Sequence, residues 1–147
     1  LAKPFLKVSL ADAEFKSRKF NIVNAYYQSK IAQIMYTYWL AQRMMNTKVS
    51  VNCIRVTAVK IDISRHPDLS PFFKKIYLLK AKQSIEPEVM AKTYTQLAVS
   101  QKYTNTTGKY FDENLCEVDS NKYSKNKENI DKVMKMTSNY IPEISNL

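Results

Sequence analysis

At 147 residues the chain is long enough for one domain with a real core, since about 68–70% of the unfolded surface can be buried at that size. Its net charge of +10 comes from 19 lysines and only 4 arginines, scattered from Lys3 to Lys135, which argues against a nucleic-acid-binding module built on bidentate arginines. Cys53 and Cys116 are isolated thiols and His66 is the single histidine, so there is no metal-ligand cluster; no 18-residue apolar run marks a membrane span and no signal peptide is visible.

The chain begins Leu-Ala-Lys-Pro and holds one glycine, Gly108. A complete nucleotide-binding fold needs several glycines where backbone turns tightly or approaches phosphate, so a part of something longer is expected. Residues 1–23 show no sustained period and read as a connecting segment. From Ala25 to about Met45 there is no Pro or Gly, and Ile31, Ile34, Met35, Tyr38 and Leu40/Ala41 recur at helical steps. "KVSVNCIRV", residues 48–56, is β-branched and nearly continuously apolar, the pattern of a strand buried on both faces of a parallel sheet. Cys53 falls inside this run and is expected in the core.

Residues 57–70 read as a loop carrying a solvated His66, followed by a short helix from Pro71 to Lys80. The stretch "PFFKKIYLLKAK", residues 71–82, is the densest basic-apolar segment; it reads first as a plain surface helix or loop, with a segment lying on a membrane surface as the alternative. Pro87 begins another helix, with Val89, Met90, Thr93, Leu97 and Ala98 as its buried stripe to about Lys102. "TNTTGKYFDEN" predicts a turn and a short strand, Lys109 to Asp112. Residues 125–140 predict a last helix with Ile130, Val133, Met134 and Met136/Thr137 on its apolar side. The order helix, strand, helices, strand, helix is α/β, without internal repeats.

One pair of residues carries chemistry. Tyr26 and Lys30 are four apart in the long helix and share a face. Random placement in so Tyr- and Lys-rich a chain gives about 1.3 such matches, and Tyr123/Lys127 is a second one, so spacing alone decides nothing. A phenol titrates at about 10, and a neighbouring ammonium favours its ionised form, bringing it nearer the range of useful acid/base catalysis.

The surroundings of Tyr26 separate the two pairs. "AYYQSKIAQIMYTYWLAQRM" followed by "VSVNCIRV" resembles the core of the short-chain dehydrogenase/reductase family, in particular its retinol-dehydrogenase-like branch. Ala25, Tyr26, Ser29, Lys30, Ala32, Leu40, Ala41 and Arg43 fit that branch, as do Val49, Val51 and Asn52; "EPEVMAKTYTQLA" and "TGKYF" resemble its later helix start and penultimate strand. The resemblance implies the C-terminal portion of a Rossmann-like, doubly wound parallel sheet, helix-rich as it stands. It also implies NAD or NADP as cofactor, with NADP slightly favoured, and a small apolar alcohol/carbonyl substrate. Tyr26 would be the catalytic acid/base, Lys30 its partner and a hydrogen-bond donor to the cofactor ribose, and the strand end Val56–Thr57 would lie at the nicotinamide.

The chain departs from the family at definite places. It has no glycine-rich phosphate loop, and aligning "VSLADAEFKSRKF" with the family's connecting segment puts the catalytic Ser just ahead of Leu1, leaving Ser9 as a weaker candidate. Val56–Thr57 stands where the family has Pro-Gly, and Ile61 stands where it has a Thr. The expected activity is therefore that of an oxidoreductase fragment, inactive alone; the alternative is a catalytically dead relative kept for binding or interaction. Residues 64–82 would be the substrate side. A homodimer through the Tyr26–Met45 helix is compatible with its apolar side, and the expected location is cytoplasmic or peripheral to an intracellular membrane.

Overall fold

The computed structural model describes residues 7–146, which form two compact units. The first gathers the described residues up to Cys53, then Asn105–Tyr110 and those from Val118 onward; the second comprises Ile54–Thr104 and Phe111–Glu117.

The first unit is organised by helix α1, Ile22–Arg43. It starts three residues earlier than the apolar period suggests because the Asn21 side chain accepts the Asn24 N–H at 2.9 Å, satisfying one orphan donor of the first turn. Before it, residues 7–21 form turns without regular structure, as the connecting segment requires. Asn126 adopts an extended conformation and caps Asn129 N at 3.0 Å, so the helix predicted over 125–140 runs from Lys127 to Tyr140, and a separate single turn, Lys122–Lys125, precedes it.

Ile31 and Met35 of α1 pack against Ile130, Val133 and Met134 of this long helix, with Val8 closing one side. Met35 and Val133 are fully buried, at 0% exposure. Ile34 and Ala41 are buried as well, so most of the apolar side that suited a homodimer is used within the unit. Farther along α1, Tyr38 donates to the Ser120 hydroxyl at 2.9 Å.

The strands are much shorter than expected. Strand β1 is Cys53–Ile54 and strand β2 is Tyr110–Phe111, paired in parallel through Cys53 N–H to Lys109 O at 2.9 Å and Arg55 N–H to Phe111 O at 2.7 Å. The predicted 48–56 strand, buried on both faces, is thus corrected to two ladder residues in a half-buried segment with Val49 and Val56 exposed. A ladder extends only where a neighbour supplies donors and acceptors, and among the described residues β1 pairs with β2 alone. Cys53 is accordingly half-buried rather than sealed in a core. The turn before β2 needs its glycine: Gly108 has φ +68°, and a Cβ there would stand 3.4 Å from the Ala41 Cβ. Its N–H donates to Val51 O at 2.7 Å, while the Asn52 side chain spans the same turn by donating to Thr106 O and accepting from Lys109 N.

In the second unit the chain leaves β1 through Val59, which forms a parallel bridge with Ile85. Between them lie a short 3-10 turn, Ile63–Arg65, and helix α2, Pro71–Ala81; helix α3, Pro87–Val99, follows. Both helices begin with Pro at the first turn, where the missing N–H costs nothing. Helix α3 buries Met90 and Thr93, and the Thr93 hydroxyl donates to Glu113 O at 2.7 Å. Val89 and Ala98, expected in the stripe, are exposed because α3 is covered on one narrow side. Helix α2 buries no residue at all. The architecture is helix-rich with a small parallel strand pair, compatible with part of a Rossmann-like sheet.

Truncating Met35 to Ala leaves a cavity at the centre of the helix pair. Urea unfolding should show a loss of about 2–5 kcal/mol, whereas truncation of the exposed Val99 should change stability by less than about 0.5 kcal/mol.

Candidate active site

The start of α1 decides where the chemical groups stand. With Asn21 as the cap, Tyr26 falls in the second turn and Lys30 at the start of the third, one helical step apart on the same face. The Lys30 ammonium lies over the Tyr26 ring, 5.6 Å from its centroid, and donates to the Gln33 amide oxygen at 3.2 Å. Such a distance is within the range of cation–π attraction. Tyr26 also meets Tyr27 edge to face at 5.5 Å and is 56% exposed, so its hydroxyl is open to an incoming group. Ser29, next to the pair, turns back onto the helix and donates to Tyr26 O at 2.7 Å.

Helical phase explains the exposure. Lys30 is on the flank of α1 that carries Ile34, Thr37 and Ala41 farther along, and those three are buried. There the segment leading into β1 and the Gly108 turn cover the flank; at Tyr26 nothing in the first unit does. Cys53 lies at the boundary. Burial pushes its thiol up, while a hydrogen bond with the Thr37 side chain and the charge of Lys30 act in the opposite direction.

The opposite side of the first turns holds a polar anchor that periodicity does not reveal. Gln28 is buried, accepts the Ser9 N–H at 2.7 Å and donates to Asn24 O at 3.3 Å. Ser9 is therefore tied to α1 through its backbone, and its hydroxyl makes no hydrogen bond among the described residues. The Arg18 guanidinium reaches the same Gln28 oxygen at 3.4 Å. Asp12 organises that loop by accepting the N–H groups of Lys16, Ser17 and Arg18 at 2.6, 3.2 and 3.1 Å. Desolvation pushes the Asp12 carboxyl up, but the Ser17 hydroxyl and these three backbone donors outweigh it and hold the group below the usual carboxylate range.

Val56 and Thr57 belong to the second unit, whereas Tyr26 and Lys30 belong to the first. Neither has a positive φ, so the β-branched pair does not take up the left-handed conformation that a glycine turn would use. Val56 and Ile61 are exposed and Thr57 is half-buried. Beyond them, Asp62 caps the 3-10 turn at Ser64 N, 3.0 Å, and a cavity of about 520 Å³ is lined by Arg65, His66, Leu69 and Phe73 among others. His66 is solvent-exposed, as expected, and no group of His, Cys, Asp or Glu among the described residues is arranged to hold a metal.

Comparison with known proteins bears on the whole arrangement. Human retinol dehydrogenase 13 is 31% identical over 111 residues, which cover 71% of this chain and 33% of that protein. The chain is a relative of the retinol dehydrogenases, within the short-chain dehydrogenase/reductase family. Mouse retinol dehydrogenase 13 is 28% identical over 115 residues, and human retinol dehydrogenase 14 is 30% identical over 95 residues, or 64% of this chain. The chain spans about a third of the length of the curated relatives it matches. No family model matches it, and no solved structure does. The relationship is to oxidoreductases, and retinol dehydrogenases of this family use NAD(P) cofactors in general.

The residues present fit one end of such a cofactor. An exposed hydroxyl and an ammonium on one helix face can meet a ribose. For the phosphates there is no equivalent cradle among the described residues, because Gly108 is spent on the turn against Ala41.

The Asp12 loop gives a pH prediction with a definite sign. A carboxyl held below its unfolded value supports the loop while ionised, and that support is lost as pH falls through the lowered range. The protection factors of the Lys16, Ser17 and Arg18 amides, measured against the intrinsic exchange rate at each pH, should therefore be high at neutral pH and fall on acidification. Asp12→Ala should make them low at every pH.

Proposed function

We infer that the chain is the catalytic-helix portion of an NAD(P)-dependent oxidoreductase acting on an apolar alcohol/carbonyl pair. The supporting observation is the Lys30 ammonium over the ring of an exposed Tyr26, on a helix whose sequence resembles the family's catalytic core. When bound, the cofactor supplies or accepts the hydride. Tyr26 gives its proton to the carbonyl oxygen in reduction and takes the proton from the alcohol in oxidation. Lys30, on the same helix face, donates a hydrogen bond to the ribose. The exposed Tyr26 edge of α1 is where the substrate oxygen approaches. Whole-protein activity requires a phosphate-binding loop and a carbonyl-polarising Ser from outside these residues.

The second reading, a catalytically silent relative, is favoured by the β-branched pair Val56–Thr57, neither of positive φ, and by Ile61, which has no donor to offer a carboxamide. A fluorescence titration of the full-length protein with NADPH and NADH separates the two: a shift or quench supports the oxidoreductase, and its absence supports the silent relative.

In the full-length protein, Tyr26→Phe should lower kcat on an apolar alcohol such as retinol by about 10²- to 10⁴-fold while leaving NADPH binding in place. Lys30→Ala should weaken cofactor binding as well as turnover. Unchanged turnover in Tyr26→Phe would remove the catalytic assignment.

A further inference from the structure

Helix α2 is built unlike the other long helices. Phe72, Leu78 and Leu79 remain 69%, 61% and 57% exposed, and none of its residues is buried, although it is rich in large apolar side chains. Helices α1 and α3 and the long helix Lys127–Tyr140 all bury part of one face. The inner side of α2 is accounted for by its own loop. Phe73 and Tyr77 line cavities with His66 and Leu69, and the Lys74 ammonium donates to Pro67 O at 3.3 Å. Helical phase then sets Phe72, Leu78 and Leu79 outward, with Lys75 and Lys82, seven residues apart, beside them.

The charge of this face is one-sided. Between Asp68 and Glu86 the sequence contains four lysines and no acidic residue. Lys75, Lys80 and Lys82 make no ion pair among the described residues, as is also true of Lys48 and Lys92, while Lys127 pairs with Asp131 at 2.8 Å and Lys132 with Glu128 at 2.6 Å. An exposed apolar strip with basic side chains interleaved matches the boundary between lipid headgroups and acyl chains. Phe and Leu enter the apolar layer there, and the long Lys stems let the ammonium groups reach phosphates at the same depth. No helix among the described residues is long and apolar enough to cross a membrane, so the geometry is that of a helix lying on the surface.

We propose that the outward face of α2, formed by Phe72, Leu78 and Leu79 with Lys75 and Lys82, docks the protein on an anionic lipid bilayer. The docking uses both components at once: insertion supplies contact area, and the lysines select negative headgroups. None of these residues takes part in the proposed proton transfer, although α2 lies within the 64–82 segment that the family resemblance places on the substrate side.

The test is flotation of the full chain with vesicles of phosphatidylcholine alone and of phosphatidylcholine mixed with phosphatidylserine. Binding should require the anionic lipid and weaken as salt is raised. Lys75→Gln with Lys82→Gln should reduce the partition coefficient by about fivefold per lysine, since each such charge near the surface contributes roughly that factor. Phe72→Glu with Leu79→Glu should abolish binding, with unchanged circular dichroism showing that the fold is retained. Equal binding to neutral vesicles, or full binding by the Phe72/Leu79 variant, would overturn the proposal. So would self-association without lipid that disappears in that same variant, which would assign the face to a second copy of the chain.

Discussion

The contact between Met35 of α1 and Val133 of the long C-terminal helix, both wholly withdrawn from water, is the constraint from which the first unit follows. Two helices joined by so small a buried patch have little freedom to rotate, because a turn of either would expose these side chains. The rotation of α1 is thereby set, and with it the direction of every other residue on the helix. Tyr26 and Lys30 point away from the helix pair, and they stay uncovered because the β1 segment and the Gly108 turn reach only as far as Thr37 and Cys53.

Polar groups hold the entry to α1 in place. Asn21 ends the connecting segment and starts the helix, and Gln28, buried one turn inside, ties back Ser9 and Arg18. A Gln can do this because its carbonyl oxygen accepts two donors while its amide still donates to the helix backbone. The catalytic candidates thus stand on a rigid base two turns long, which proton transfer requires if the hydroxyl is to meet a substrate oxygen repeatedly in one geometry. The surface ion pairs contribute little to that rigidity, since pairs as exposed as Lys127–Asp131 gain little over hydration in water.

The second unit follows a different economy. Its buried residues are few, Met90, Thr93 and Phe111 among them, and α2 gives none. A helix that is apolar yet leaves its large side chains in solvent has its hydrophobic demand unmet by its own unit. The lysines beside those side chains limit the environments that could meet it. The same scarcity of neighbours shortens β1, where backbone able to continue as strand has nothing further to pair with.

Much of this was legible along the chain. The helices at Ile22–Arg43, Pro71–Ala81 and Pro87–Val99 follow from apolar period, absence of internal breakers and Pro at the first turn, all of which act over a few residues. The adjacency of Tyr26 and Lys30 also follows from local geometry, as one helical turn joins them. Tertiary structure alone decided which sides of the helices were covered. Strand length depended on whether a partner lay alongside residues 48–56, and the roles of Gln28 and Asp12 depended on donors brought back from other turns. Period and propensity are properties of neighbours in sequence; burial and hydrogen-bond closure are properties of neighbours in space, and no local pattern encodes them.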